Sequence, residues 1–290
     1  MKKLLKYLLR TVGALIGAVI LLLAVGFLVI KISTVRAEKK ARALGGPEVK
    51  TITTEGYTFR DLNKNGKLDV YEDSRKPVNE RVEDLLSQMN LEEKAGTMFF
   101  SMIGMNGDGS PAESPSLSNP FSFMFMGTTK MILQKKINHF NILLGTGKKE
   151  MAAWNNSLQK LAERTRLGIP VTIGTDPRNH FSNNPLASAF AGDFSQFPEP
   201  IGLAAIGDSL TVAEFADIAR REYLAVGIRV ALHPQVDLAT EPRWGRINST
   251  FGEDAALSSR LAYAYIKGFQ GDTMGPCSVA CMTKHFPGGG

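Results

Sequence analysis

The sequence predicts an α/β chain, a mostly parallel sheet with helical crossovers, preceded by one membrane-length helix. Three observations carry this. Residues 11–30 hold no charge and are almost wholly apolar. Further along, short apolar runs alternate with amphipathic stretches. Polar and charged residues follow directly after three of those runs.

The apolar stretch comes first. Twenty residues at about 1.5 Å each reach roughly 30 Å, the thickness of a bilayer core. The core of a cleaved signal is shorter, about 7–15 residues. An uncleaved anchor over residues 1–32 is therefore the expectation, with the globular part outside the cytoplasm. Secretion after cleavage near Val35-Arg36-Ala37 is the alternative. Basic residues flank the stretch on both sides, so charge does not orient it. A polar connection over 33–58, containing Gly45-Gly46-Pro47, reads as a linker.

The net charge of +6 is local. Residues 1–42 hold nine of the 34 basic residues and one of the 28 acids, so the remainder is close to neutral. That argues against a nucleic-acid-binding face. Cys277 and Cys281 are the only cysteines. On a strand they would stand about 13 Å apart, too far for a disulfide. They read as two small buried hydrophobes.

Helical periodicity appears over 78–89, 151–166, 210–226 and 253–269. In the third, Val212, Phe215, Ala216, Ala219 and Leu224 share a face, and Gly227 ends it. Strands are expected at 97–102, 141–144, 171–175, 230–232 and 279–282. Strand-then-helix alternation implies parallel strands with helical crossovers. Functional residues after the strands suit the C-terminal face of a (β/α)₈ barrel, and a doubly wound sheet would place ligands there too. No Gly-x-Gly-x-x-Gly follows the first strand, which weakens a dinucleotide role.

Before the first strand, the twelve residues from Asp61 to Glu72 match the pattern of an EF-hand calcium loop. Asp61, Asn63 and Asn65 offer side-chain oxygens, Lys67 a carbonyl, Asp69 a direct or water-borne contact, and Glu72 two oxygens. Gly66 permits the sharp turn. With a single loop and no clear helix before it, a structural Ca²⁺ clamp is expected rather than a sensor. An Asx-rich turn that needs no metal is the alternative.

Three segments together resemble glycoside hydrolase family 3, β-glucosidase-like, in its N-terminal barrel: Gly168-Ile-Pro-Val-Thr-Ile-Gly-Thr-Asp176-Pro-Arg178; Glu241-Pro-Arg243-Trp244-Gly245-Arg246, with Phe251-Gly-Glu-Asp254; and Thr283-Lys284-His285-Phe286-Pro287-Gly288. The stretch from Arg81 to Lys94 is similar to the family's opening helix. The resemblance spans about residues 58–290. It implies an incomplete (β/α)₈ barrel over 59–290 and an O-glycosidase of β-glucosidase or β-xylosidase type. Such enzymes remove terminal non-reducing β-linked sugars with retention and need no cofactor for catalysis. Asp176 then grips hydroxyls of the terminal sugar, and Arg246, Lys284 and His285 hold the others.

These residue types suit that task. A carboxylate accepts from two neighbouring hydroxyls, and Lys and Arg donate back. Contacts that strengthen as the ring becomes oxocarbenium-like lower the barrier. Plainer roles exist for each residue alone: a helix cap for Asp176, an ion pair with Glu241 for Arg243, packing for Trp244, structural burial for His180 and His233. Arg243 is left off the site for that reason. Ser249 stands where many members carry a Glu, and Gly289 where the N-acetylhexosaminidase branch carries a His. The nucleophilic Asp is expected beyond Gly290, so this chain reads as a fragment inactive alone. Two other readings stay open: a non-catalytic sugar-binding protein, and a membrane-anchored calcium-binding interaction protein.

Overall fold

The computed structural model describes residues 2–115, 120–143, 145, 147–181, 191–286 and 288. Helix α1 runs unbroken from Lys2 to Arg42. The expected linker is thus partly helical. Ala37-Glu38-Lys39-Lys40-Ala41-Arg42 are strong helix formers, and Arg42 Nε donates to Glu38 Oε1 one turn back at 2.8 Å. The linker ends in a hairpin, β1 (Lys50–Thr54) paired antiparallel with β2 (Tyr57–Asp61). Its two-residue turn has φ of 53° at Glu55 and 79° at Gly56, the backbone that matches the twist of paired strands.

Helices α2 (Val78–Gln88) and α3 (Leu91–Thr97) follow. The periodicity predicts a strand from residue 97. Instead, Asn90 and Glu93 form a reciprocal capping box, each side chain accepting from the other's backbone N–H, and start α3 just before the sheet.

The sheet holds β3 (Phe100–Ile103), β4 (His139–Ile142), β5 (Thr172–Thr175), β6 (Ile228–Ala231) and β7 (Ala280–Cys281). All neighbours are parallel, and spatial order equals chain order. The crossovers are α4 (Lys148–Ala162) before β5, α5 (Pro200–Ile206) and α6 (Ser209–Val226) before β6, and α7 (Ala255–Gln270) before β7. β4 to β7 fall within two residues of their sequence expectations, and β3 starts three residues late because α3 occupies residues up to Thr97. Leu144, in the expected second strand, lies outside the described residues.

The core is one cluster between sheet and helices. Ile103, Phe140, Ile142, Ile173, Ile228 and Val279 pack against Trp154, Leu158, Val212, Phe215, Tyr223, Leu261, Tyr265 and Phe269. Asp208 and Asp254 cap α6 and α7, and Gly227 closes α6 at φ 88°. Cys277 corrects the cysteine expectation. It is exposed in the turn before β7, because the strand begins only at Ala280, while Cys281 is partly buried.

Candidate active site

The strand ends set the site. Asp176 follows the last residue of β5. Its Oδ1 accepts from Lys284 Nζ at 2.5 Å and its Oδ2 from Asn141 Nδ2 at 3.1 Å. Asn141 belongs to β4, and Lys284 lies just past β7, so three strand ends meet at one carboxylate. Both members of the ion pair keep under a fifth of their side chains exposed.

Arg178 braces this corner from beneath. It is fully buried, and its guanidinium donates to Thr175 Oγ1 (2.8 Å), the Gly145 carbonyl (2.5 Å) and the Ile142 carbonyl (3.1 Å). These satisfy carbonyls at the end of β4 and beyond it, and tie the turn carrying Asp176 to its neighbour. Burial lowers its pKa to about 10.

The segment after β6 carries the rest. Buried His233 sits between two phenols, Nδ1 2.6 Å from Tyr265 Oη and Nε2 3.2 Å from Tyr223 Oη. It anchors the backbone from Pro234 to Asp237. Lys284 joins that backbone: its N–H donates to the Pro234 carbonyl and its carbonyl accepts from Val236 N–H. Gln235 Oε1 accepts from Arg246 Nη2 at 2.9 Å. The Asp237 carboxylate accepts from His285, with Nδ1 at 2.9 Å.

The four sequence-predicted residues therefore converge: Asp176 and Lys284 directly, Arg246 through Gln235, His285 through Asp237. Sequence reading missed Asn141, Gln235 and Asp237. Arg243 is bound to Glu241 at the surface, as its plainer reading had it, and Trp244 is partly buried. His180 is buried, its Nδ1 2.9 Å from the Pro198 carbonyl. Ser249 borders a small enclosed pocket shared with Gln235, Glu199 and Lys284. The turn at Pro287, Gly289 and Gly290 lies outside the described residues.

Among the described residues, three buried polar atoms around the ion pair have no hydrogen-bond partner: Asn141 Oδ1, Gln235 Nε2 and Arg246 Nε. Unpaired buried polar atoms are costly. One acceptor and two donors are thus left open among the residues that surround the pair.

The twelve-residue loop has a different character. Asp61 accepts from the N–H groups of Asn65 and Gly66, and Glu72 from those of Leu62, Asn63 and Asp69. Asp69 Oδ2 accepts from both Asn63 Nδ2 (2.5 Å) and Asn65 Nδ2 (2.8 Å). Each carboxylate is satisfied by the loop itself. Among the described residues no group of three or more His, Cys, Asp or Glu is gathered as a metal cage. The loop staples the hairpin to the sheet domain: Lys64 Nζ donates to the Thr165 carbonyl at 2.5 Å and Tyr71 Oη to that of Leu167 at 3.1 Å.

A family model, Glycosyl hydrolase family 3 N terminal domain, matches residues 126–290. The chain belongs to glycosyl hydrolase family 3. The match includes every residue of the strand-end site described above. A probable beta-glucosidase C of Aspergillus oryzae is 50% identical over 243 residues, which cover 82% of this chain and 37% of that protein. A periplasmic beta-glucosidase/beta-xylosidase of Dickeya chrysanthemi is 47% identical, over 82% of this chain and 36% of its own length. Among solved structures, a mutant beta-glucosidase of Listeria innocua in complex with laminaribiose superposes with a TM-score of 0.53 at 27% identity, covering 72% of this chain and 27% of that one. The family 3 chain described here thus spans a little over a third of the curated relatives it matches.

Proposed function

We propose that this family 3 chain supplies the sugar-holding face of a retaining exo-β-glycosidase acting on β-glucosides or β-xylosides. The observation that carries the reading is the cradle of open polar atoms around the Asp176–Lys284 pair. Asp176 would accept from two adjacent hydroxyls of the terminal sugar, with Lys284, Arg246 and His285 holding the remainder. A sheet in strict chain order, without the reversal of a doubly wound fold, supports an incomplete (β/α)₈ barrel with the cleft at its C-terminal face. Retaining hydrolysis needs two carboxyl groups about 5–5.5 Å apart. Asp176 and Asp237 are engaged by Lys284 and His285, so we propose that the reacting pair is completed from outside the described residues.

The 290-residue chain is expected to bind methyl β-glucoside in calorimetry, to lose that binding in Asp176→Ala, and to turn over no aryl β-glucoside. Turnover by the pure chain that Asp176→Ala abolishes would overturn the missing pair. Binding that Asp176→Ala leaves intact would overturn the site itself and favour a merely architectural likeness.

Helix α1 is proposed as an uncleaved anchor, holding the globular part outside the cytoplasm. It is long and apolar enough to cross a bilayer, and its apolar part is unburied. Phe27 packs on Phe123 of the domain, and cleavage near Arg36 would remove that contact.

The loop from Asp61 to Glu72 is proposed to take one structural Ca²⁺. Its spacing and the left-handed Gly66, φ 78°, support this. Binding would require Asn63 and Asn65 to release Asp69 and turn their carbonyl oxygens inward. Calorimetric titration should show one site; no uptake at millimolar Ca²⁺ would leave the Asx-rich turn as the whole explanation.

A further inference from the structure

Helix α1 passes along the sheet domain from one end to the other. At its C-terminal end Gly46 N–H donates to the Arg164 carbonyl at 2.7 Å, and Arg164 Nε donates back to the Gly46 carbonyl at 3.0 Å. Arg164 lies between α4 and β5, so this contact marks the N-terminal strand ends. Phe27, earlier on the helix, rests against Phe123 with ring centroids 6.3 Å apart. Phe125 stands over Gly104, the residue after β3, where an added Cβ would meet its ring at 3.5 Å. That contact marks the C-terminal strand ends, the side of Asp176, Lys284 and His285. Between the two, Thr34, Ala37, Glu38 and Ala41 face the domain on one stripe. Phe27 to Ala41 is roughly 21 Å of helix. Prolonged in the same direction, the apolar half of α1 leaves the domain on the cleft side.

The level of the lipid follows. Phe27 lies inside the uncharged run, about 6 Å of helix before the first charge at Lys31. Its partner segment, Pro120-Phe-Ser-Phe-Met-Phe-Met126, carries no charge. Phe123 is 45% exposed, Met124 74% and Met126 41%. Contiguous exposed apolar side chains mark an interaction surface, and aromatic and apolar tips suit the membrane interface. The Phe27–Phe123 contact places this tip where α1 enters the hydrocarbon.

Resting on the anchor reading of α1, we propose that the Phe123–Met126 tip inserts into the leaflet that α1 crosses. It is a second membrane contact, and it holds the domain with its sugar cleft turned toward the bilayer surface.

The test uses the full chain in phosphatidylcholine–phosphatidylglycerol vesicles, with and without acyl-brominated lipid. Met124→Trp should add blue-shifted emission over that of Trp154 and Trp244, and brominated lipid should quench most of the increment. Met274→Trp, exposed in the turn between α7 and β7 at the opposite end, should be quenched by aqueous iodide instead. An alkaline carbonate wash reports the anchor separately. A chain that stays with the vesicles while the tryptophan at 124 answers to iodide and not to bromine overturns the insertion alone. Blue-shifted emission that bromine leaves untouched means the tip is covered by protein, a second copy included, and also overturns it. Release by carbonate removes the anchor and the insertion with it.

Discussion

His233 shows how a residue outside the proposed ligand cradle shapes it. Two tyrosine hydroxyls occupy its ring nitrogens, and the backbone it fixes carries Gln235 and Asp237. Burial, then the nearby His180 and Lys284, push its pKa well below the ordinary 6.5. The folded state therefore keeps the ring neutral, while the unfolded chain takes up a proton below about pH 6.5. Stability is fully present above that value and falls as the pH drops. Burial drives His180 the same way. Urea unfolding of the detergent-solubilised chain between pH 7 and 5 should show His233 contributing up to about 1.4 kcal/mol per pH unit. His233→Gln, though less stable throughout, should flatten the slope by that amount; an unchanged slope would refute the assignment. Asn141, Gln235 and Asp237 were hidden for a related reason. A neutral amide at the end of an apolar run, or a carboxylate between Val236 and Leu238, looks like an ordinary strand end until the opposite strands are placed.

At the scale of elements, the α6–α7 contact turns on the absence of a side chain. An added Cβ at Gly268 would stand 2.7 Å from the Ala213 carbonyl and closer still to the Ala216 methyl. Alanine gains up to about 1 kcal/mol of helix propensity over glycine. Overpacking typically costs about 1–3 kcal/mol, and a backbone carbonyl yields little. Gly268→Ala should therefore lower the unfolding free energy, read from the urea midpoint at unchanged slope; a gain would mean the helices can part freely. Of the elements that periodicity revealed, α4, α6, α7 and the sheet strands bury one face or run through the core, while α2 is amphipathic but only half-buried along one side. Those it missed obey other rules. α3 is started by a capping box, α5 is a seven-residue turn of helix behind Pro200, and β1–β2 is a hairpin largely in solvent. The end of α1 is helical through local propensity and contact with the domain, where a Gly-Gly-Pro suggested only a tether.

Over the whole molecule, the residues proposed to hold the sugar come from the ends of β4, β5, β6 and β7, so no single segment carries the site. The three sequence segments became informative only because their order matches the order of the strands. Asp176, Arg246, Lys284 and His285 can be named as candidates from that order. Their mutual geometry cannot be read from it, since it depends on the intervening bonds of Gln235 and Asp237.

The continuity of α1 has a mechanical consequence. No break in the helix separates its apolar half from the half docked on the domain. With α1 in a bilayer, the domain would not swing as on a flexible tether. It could spin about the membrane normal and drift laterally, and its cleft would sweep a thin layer at fixed height above the lipid. Encounter with substrate would become a search in two dimensions, favouring glycosides held at or confined near the surface over those dispersed in bulk.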